Sequence, residues 1–355
     1  MDYEIDFLPV GEGEKSGDAI AVCFGNLTAD HTNRKVFVID GGTKKSGEDI
    51  INHIHNQYGG NHVDAVISTH PDSDHASGLT VVLESMDVDN LIMHRPWNYA
   101  GVIKDAFERR QTVFGLAAKM REELEMAREL ETIATRKGIK IHEPFSGLNG
   151  YDGALMVLGP KQEYYSNLLP HFRSTPEVKE ELSLFQKIAQ PTKEAKEAIE
   201  WLAETMDIET LDDEGGHFSA ENSSSAIVLL SFGTDKILLT GDGDIVALTA
   251  AADYAQSQGI DLSALRLFQV PHHGSRHNIG PTILNRIKSK HSIVSAGPEG
   301  EPKHPAKKVT NALFRRGSQL CATQGKIVCF HSSSILPRKG WTSAPLIPFY
   351  NSVEK

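Results

Sequence analysis

The sequence has little of what marks disulfide-bonded, secreted or membrane-spanning chains. Among its 355 residues are three cysteines, Cys23, Cys321 and Cys329, whose wide spacing excludes a disulfide framework and a Cys-x-x-Cys metal site. No apolar run approaches the roughly 18 residues of a membrane helix. The first residues are acidic rather than basic, so we expect no signal peptide. These absences predict a globular, cytoplasmic protein.

Basic residues are also outnumbered by acidic ones. The formal net charge is −11, which on its own argues against a polyanionic partner. The distribution is uneven, because residues 276–340 contain twelve Lys and Arg but only two acids, Glu299 and Glu301. This segment is either an ordinary solvated surface with a chance imbalance or a face that contacts phosphates.

Strand and helix signals alternate through most of the chain, which predicts a layered α/β architecture. Short apolar strands separated by turn residues fill residues 1–42, and the same pattern returns after residue 222. Between these parts, residues 101–221 are charged and helix-prone, with one predicted strand at 151–158. We therefore predict a single domain over residues 1–355, with 101–221 as a largely helical insertion.

Polar loops follow four of the apolar strands, and strand ends are where ligand sites assemble in layered α/β folds. One loop places four ligand-capable side chains within six residues, just before a predicted helix. Holding so many carboxylates and imidazoles together is costly unless a cation neutralises them, so this loop predicts a divalent-metal site. The four loops are Asp40-Gly41-Gly42, His70-Pro71-Asp72-Ser73-Asp74-His75, Gly241-Asp242 and Pro271-His272-His273-Gly274-Ser275.

Taken singly, the other three loops are ambiguous. Asp40 is as typical of a capping or turn aspartate as of a site residue, and Asp242 alone is typical of a turn. His272 and His273 alone could be histidines whose hydrogen bonds are satisfied inside the fold. Because all three loops occupy the same kind of position as the metal loop, together they favour one shared site.

The loop His70-x-Asp72-x-Asp74-His75, followed by Ala-Ser-Gly, resembles the signature of the metallo-β-lactamase superfamily, which usually has histidine where Asp72 stands. The aspartate variant resembles the ComEC-type (competence, DNA-internalization) branch of that superfamily. The segments around Asn222, Gly241-Asp242, Pro271–Ser275 and Lys303-His304-Pro305 fit the same branch. The resemblance covers about 1–100 and 222–335, and the membrane-channel parts of competence proteins are absent.

This resemblance implies a four-layer αβ/βα sandwich that holds two divalent cations, Zn²⁺ or Mn²⁺, between its sheets. Position by position, it assigns His70 and Asp72 to the first metal and Asp74 and His75 to the second, with Asp242 bridging both. His273, or alternatively His272, would complete the second position. Asn222 stands near where a further histidine is usual. With Asp72, this makes the first position richer in oxygen and more suited to Mn²⁺.

The implied activity is hydrolysis by a metal-bridged hydroxide. Asp74 would orient the nucleophile, and His304, or with less support His272 or His277, would protonate the leaving group. We expect a nuclease or phosphodiesterase that cleaves DNA or RNA, with a role in defence against foreign DNA as one interpretation. The predicted phosphate contacts are Lys303, Lys307, Lys308, Arg315, Arg316, Arg338 and Lys339.

Two alternatives stay open. The first is a hydrolase of small esters, phosphoesters or lactones, with the insertion roofing its pocket. The second is control by a protein partner that docks on predicted helices at 102–137 and 175–206, or by a protease that cuts an acidic, exposed loop at 207–221. Oligomeric state is not indicated by the sequence.

Overall fold

The computed structural model describes most of the chain. The described residues are 1–13, 15–27, 34–107, 109–173, 175–176, 200–216, 218–300 and 304–355. Two seven-stranded sheets form its centre, and a small two-stranded sheet pairs β9 (Trp201–Ala203) with β16 (Ser352–Glu354).

The first large sheet has the strand order β15-β1-β2-β3-β4-β5-β6. Its first three pairings are antiparallel, and the pairings from β3 to β6 are parallel. Parallel neighbours bring their carboxyl ends to the same edge, so the loops after β3 and β4 lie side by side. The strands are β1 (Asp2–Phe7), β2 (Ala19–Gly25), β3 (Lys35–Gly41), β4 (His62–Ile67), β5 (Asp87–Ile92), β6 (Lys140–His142) and β15 (Val328–His331).

The second large sheet repeats this plan in the order β14-β13-β12-β11-β10-β8-β7. Pairings from β7 to β11 are antiparallel, and those from β11 to β14 are parallel. The loops after β11 and β12 therefore also share one edge. The strands are β7 (Asn149–Gly150), β8 (Leu155–Gly159), β10 (Ile227–Phe232), β11 (Asp235–Leu239), β12 (Leu265–Gln269), β13 (Ser289–Val294) and β14 (Gln319–Ala322).

Helices cover the outer faces of both sheets. A π-helical turn, Ile54–Tyr58, extends α1, and α2 begins inside the predicted metal loop. The α-helices are α1 (Lys44–His53), α2 (Ser73–Ser85), α3 (Ala100–Ile103), α4 (Val113–Glu123), α5 (Glu125–Lys137), α6 (Gln162–Leu168), α7 (Ala220–Ser223), α8 (Ile245–Ser257), α9 (Pro281–Arg286) and α10 (Lys307–Arg315).

Alternation along the strands builds the layers. On β1, Tyr3, Ile5 and Phe7 point into a core between the two sheets, where they meet residues of β8, β10 and β11. On β2, Ala21 and Cys23 instead face α1, α2, α4 and α5 in a second core. A third core packs α8, α9 and α10 on the other sheet. The fold is therefore the predicted four-layer αβ/βα sandwich.

The region predicted as a helical insertion is more mixed than expected. Helices α3 to α6 lie within it, but it also supplies β6 to the first sheet and β7 and β8 to the second. The helix predicted at 175–206 lies mostly outside the described residues, and its described end forms the strand β9. The loop predicted as exposed at 207–221 is anchored by Leu211, which is buried in the third core.

Within the described ranges, no helix combines the length and apolar character needed to cross a membrane.

Candidate metal centre

All four polar loops predicted as site loops lie at one place, where both sheets change from antiparallel to parallel pairing. Asp40 ends β3, His70 follows β4, Asp242 follows β11 and His272 follows β12. The sheets face each other, so these four carboxyl ends meet across the interior. Each loop side chain is therefore positioned by a different buried strand.

Asp242 lies at the middle of this arrangement and is almost completely buried. One carboxylate oxygen, Oδ2, lies 3.7 Å from His70 Nε2 and 3.7 Å from His272 Nε2. The other oxygen, Oδ1, lies 3.4 Å from His75 Nε2 and 3.8 Å from His273 Nε2. Four imidazoles thus direct the same ring nitrogen toward one carboxylate, two on each side of it.

The hydrogen bonds on the far side of the first two rings fix their orientation. His75 Nδ1 donates to Asp40 Oδ2 at 2.8 Å. Thr69 Oγ1 donates to Asp40 at 2.6 Å and can therefore accept from His70 Nδ1 at 3.0 Å. These bonds at Nδ1 fix both rings so that Nε2 faces Asp242, which is the arrangement of a metal-binding histidine.

The histidine pair after β12 is held in the same way. His273 Nδ1 donates to the Ser295 carbonyl at 2.9 Å, and His272 Nδ1 donates to Asn278 Oδ1 at 2.8 Å. Both histidines have left-handed backbone conformations, with φ of 48° and 56°. Such strain persists in non-glycine residues only where the surroundings enforce it, and it is common at functional sites.

The donor atoms fit a divalent cation. Among the buried polar atoms of the described residues, the Nε2 atoms of His70, His75 and His273 and Oδ1 of Asp242 have no hydrogen-bond partner. Leaving such atoms unsatisfied in the interior costs several kcal/mol in total, at about 1–3 kcal/mol for each group. Because all four converge on one place and are nitrogen or carboxylate donors, a metal ion would satisfy them together.

The local field also favours a positive charge. Burial lowers the pKa of a histidine, yet the pKa of His75 is raised well above its ordinary value because the carboxylates of Asp242, Asp40 and Asp18 outweigh burial. Burial, and after it the positive charge of His75, keeps the pKa of His70 and that of His273 well below the ordinary value. The centre thus stabilises a cation among neutral imidazoles, as a metal site does.

On the Oδ1 side of Asp242, Asp74, His75 and His273 form a group whose ligand atoms all lie within 4.8 Å of one another. With Asp242 this provides the four ligands that the resemblance assigns to the second metal, with His273 in the place favoured from the sequence. The assignment of these residues to a metal stays a prediction, and the geometry brings them together.

The Oδ2 side is less complete. Asn222 Nδ2 lies 3.5 Å from His272 Nε2 and donates to Asp242 Oδ2 at 3.1 Å. Ser219 donates its hydroxyl to Asn222 Oδ1, which fixes the amide so that nitrogen faces the site. An amide nitrogen is a donor and not a metal ligand. Asn222 therefore occupies the first position without contributing a ligand.

Asp72, the other ligand predicted for the first position, is engaged elsewhere. Arg173 Nη2 donates to both of its carboxylate oxygens, at 2.7 and 2.9 Å. Arg173 is held in turn by the buried Glu221, whose Oε1 accepts from its backbone nitrogen at 2.7 Å and from Nε at 3.3 Å. Among the described residues, Asp72 belongs to no cluster of three or more converging ligand atoms.

A pocket of about 500 Å³ opens beside the metal loop, between it and the α4–α5 turn. Arg173 is its single cationic side chain, and the remaining charged residues are acids. Its walls are therefore mainly negative before any metal binds. The lining residues are Pro71, Asp72, Ser73, Asp74, Glu123, Leu124, Glu125, Met126, Arg173 and Glu221.

Two of the three predicted proton donors, His304 and His272, also lie at this centre. The His304 ring is centred 5.6 Å from the His272 ring and 6.1 Å from the His273 ring. His304 therefore lies beside the histidine pair that faces Asp242, and the catalytic roles of His304 and His272 stay predictions. The third candidate, His277, lies against Gly216.

The structure does not bring the predicted phosphate contacts together on one open face. Arg315 donates to Glu204 and to backbone carbonyls, and Arg316 pairs with Glu209 at 2.7 Å. Arg338 pairs with Glu4 and Asp6 on β1, on the other sheet. These three side chains are only 9%, 12% and 13% exposed, so most of their donors are used to hold the fold.

The predicted lysine contacts are divided. Lys339 is exposed, whereas Lys308 is buried. The ammonium of Lys307 lies 4.9 Å from the Trp201 ring and 4.7 Å from the Tyr350 ring. Lys303 lies outside the described residues. Their contact with phosphate stays a prediction that the burial of the arginines weakens.

Several site residues were not predicted. Asp18 lies at the start of β2, contacts Gln269 at 2.7 Å and lies 3.7 Å from His75 Nδ1. Burial raises its pKa to about 7. Arg173 and Glu221 belong to the region predicted as an insertion, and no local motif marks them. Asp18 immediately precedes the apolar strand β2 of the first sheet, which was a usable signal.

Comparison with known proteins agrees with this fold. Residues 22–132 match the family model of the metallo-beta-lactamase superfamily. This stretch, which is under half of the chain, is thus similar to the metallo-β-lactamase superfamily, and the two sheets with their outer helices are consistent with the sandwich of that fold.

One curated relative shares sequence with the chain over a short stretch. Recombination protein 2 of Haemophilus influenzae is 31% identical over 96 residues, which are 27% of this chain and 11% of that protein. The chain thus matches only a small part of that relative's length. This local match gives loose support to the predicted competence-type branch.

Two solved structures illustrate the wider likeness of the fold. A mutant of the CmlA beta-hydroxylase aligns with 93% of this chain and 54% of its own, at 10% identity and a TM-score of 0.45. Unliganded yeast PDE1 aligns with 92% of this chain and 99% of its own, at 11% identity and a TM-score of 0.44. Such distant likenesses say nothing about the activity of this chain.

Proposed function

We propose that the chain is a metal-dependent hydrolase of phosphodiester bonds, with nucleic acid as its substrate class. The observation that carries the proposal is the convergence of four imidazole Nε2 atoms on the two oxygens of the buried Asp242. Three of these nitrogens and one of the oxygens are unsatisfied in the interior. Because these atoms converge on one place, a single cation would satisfy all of them.

Each residue has a defined part in this proposal. Asp74, His75, His273 and Asp242 would hold one cation, and His70 with Asp242 would begin a second position. A bound divalent cation would supply Lewis acidity and a nucleophile at neutral pH. His304 or His272 would donate the proton to the leaving oxygen.

One observation favours a phosphodiester over a carboxylic ester. The local relative is named as a recombination protein, and recombination acts on nucleic acid. The buried arginines lower the number of available backbone contacts, so we expect a few phosphates to be bound rather than a long duplex.

One observation favours a second candidate, a hydrolase of small phosphoesters. The pocket beside the metal loop is about 500 Å³, the size of a small-ligand site, and its walls carry Glu123, Glu125 and Glu221. Those carboxylates would repel a polyanion that extends past the metals. A short or single-nucleotide substrate would avoid them.

The test compares wild type with Asp242→Ala on plasmid, single-stranded DNA, RNA and bis(4-nitrophenyl) phosphate, with Mn²⁺ or Zn²⁺. We expect cleavage by wild type and a loss of about a thousandfold or more in the variant, because both cations would lose a ligand. Asp253→Ala, at an exposed ion pair with Arg286, is the matched control and should retain activity. Metal-dependent cleavage that survives Asp242→Ala would contradict the proposal.

Ionic strength separates the two substrate classes. Binding of a nucleic acid through Z phosphates weakens with salt at a logarithmic slope of about −0.9Z for duplex and −0.7Z for single strands. With most arginines engaged in the fold, we expect a slope of about −1 to −3. A slope near zero, with turnover only of small phosphodiesters, would select the second candidate.

A further inference from the structure

The pairing of Arg173 with Asp72 is the least expected contact at the centre. Asp72 is the residue before α2 and would ordinarily accept from a backbone N–H of the first turn, yet its side chain makes no such bond. Only its backbone carbonyl accepts from the helix, from His75 N at 3.1 Å and from Ala76 N at 2.9 Å. The carboxylate is instead turned outward to the guanidinium.

Arg173 is built into this position. Its backbone nitrogen and Nε both donate to Oε1 of Glu221, which is 2% exposed. Glu221 shares the one-turn helix α7 with Asn222, whose amide donates to Asp242. The same turn thus anchors the arginine on one side and blocks the first metal position on the other.

Asp72 already has a cationic partner. A guanidinium that meets both oxygens of one carboxylate forms an oriented ion pair, and Arg173, whose side chain is 60% exposed, shares its charge between Asp72 and the buried Glu221. A metal at the first position must therefore displace Arg173 from Asp72 or share the carboxylate with a neighbouring positive charge. No such competitor faces Asp74 in the contacts of the described residues.

We propose that Arg173 competes with the first cation for the Asp72 carboxylate, so that the first metal position fills only at a higher metal concentration than the second. Arg173 is in this sense a positioning residue that sets the order of metal loading. The inference rests on the proposed metal centre and concerns a residue that the superfamily signature does not contain.

The experiment is a Mn²⁺ titration of the full chain by calorimetry, with free Mn²⁺ counted by electron paramagnetic resonance. We expect one tight and one weak equivalent in wild type. Arg173→Gln should tighten the weak equivalent by about tenfold or more, within the 10–100-fold range by which residues next to ligands tune metal affinity. The tight equivalent should change much less.

Two variants separate competition for Asp72 from a general loss of positive charge. Arg136→Gln removes an exposed arginine that pairs with Glu84 on the surface of α5, and it should leave both equivalents unchanged. In the Asp72→Asn background, Arg173→Gln should give no gain, because the contested ligand is already gone. A tenfold gain in either case would overturn the inference.

Folding is followed by thermal melting, and Arg173→Lys provides a second variant. Lysine keeps the charge but loses the two-point contact with the carboxylate. The Mn²⁺ affinity of the weak equivalent in Arg173→Lys should therefore lie between that of wild type and that of Arg173→Gln. Unchanged affinities in both variants would overturn the inference while the metal centre stands. If none of these proteins binds Mn²⁺ or Zn²⁺, or if Asp242→Ala binds these ions as tightly as wild type, both the inference and the proposed function are wrong.

Discussion

The two sides of Asp242 are built from the same parts and differ in completeness. On the Oδ1 side, Asp74, His75 and His273 converge within 4.8 Å. On the Oδ2 side, His70 and His272 lie at similar distances from the carboxylate, but an amide nitrogen and an arginine replace two ligands. The Oδ1 side presents ligand atoms that suit a cation. The Oδ2 side already contains a positively charged guanidinium and an amide that donates a hydrogen bond.

The difference shows how a site can become asymmetric without losing its framework. The strands, the loops and the orientation of each imidazole are alike on both sides. The two sides differ in the side chains that α7 and Arg173 contribute. Both belong to the part of the chain between the two strand-rich halves. We infer that this part tunes the metal centre rather than building it.

The largest expected effect comes from replacing each aspartate of the metal loop, Asp74 or Asp72, by alanine and comparing the two losses of metal affinity. Asp74→Ala should lower the affinity of the tight metal position by about 100-fold or more, because it removes a ligand. Asp72→Ala should leave that position within about threefold, since its carboxylate is bound to Arg173. Mn²⁺ titration measures both. Equal losses would show that the two sides are not distinct.

Asp40→Asn should have an intermediate effect. Asp40 accepts from His75 Nδ1 and from Thr69, which in turn contacts His70. Replacing one oxygen by an amide disturbs the tautomer of His75 and should weaken the tight position by about 10-fold to 100-fold. The control is Asp64→Asn, a buried aspartate of the same sheet that accepts from the Val36 backbone. Metal affinity unchanged by Asp40→Asn would contradict this role.

The smallest expected effect is one that reduces the difference in metal affinity between the two positions. Asn222→His places an imidazole where the amide nitrogen now faces Asp242, and should strengthen the weak position by about tenfold, more for Zn²⁺ than for Mn²⁺. Asn149→His on the exposed edge strand β7 is the matched control. A fall in affinity at the first position would show that Asn222 supports that position rather than blocking it.

The sequence located the polar loops where a motif directly follows a strand, and their part in metal binding stays a prediction. Asp40, His70, Asp242 and His272 each continue an apolar strand, so the pattern located both the strand and the loop. The layered fold followed from the same alternation. The short strands β9, β14 and β16 were not predicted, because three or four residues show too little alternation of apolar and polar side chains.

What could not be predicted depends on contacts between distant parts of the chain. Arg173 meets Asp72 across 101 residues, and Arg338 meets Asp6 across 332. The excess of Lys and Arg over residues 276–340 suggested a basic face. Composition, however, does not show where a side chain points. In the fold, Arg315, Arg316 and Arg338 turn toward acids and hold segments in place.

The pairing of β1 with β15 has a consequence for synthesis of the chain. The backbone of Tyr3 contacts Ser332, 329 residues away, and β15 lines β1 along the edge of the first sheet. A ribosome that has released β1 to β5 has therefore produced a sheet with an open edge, which can pair with other chains. That edge closes only after the second sheet has emerged, so nascent chains are exposed to misassembly for most of translation.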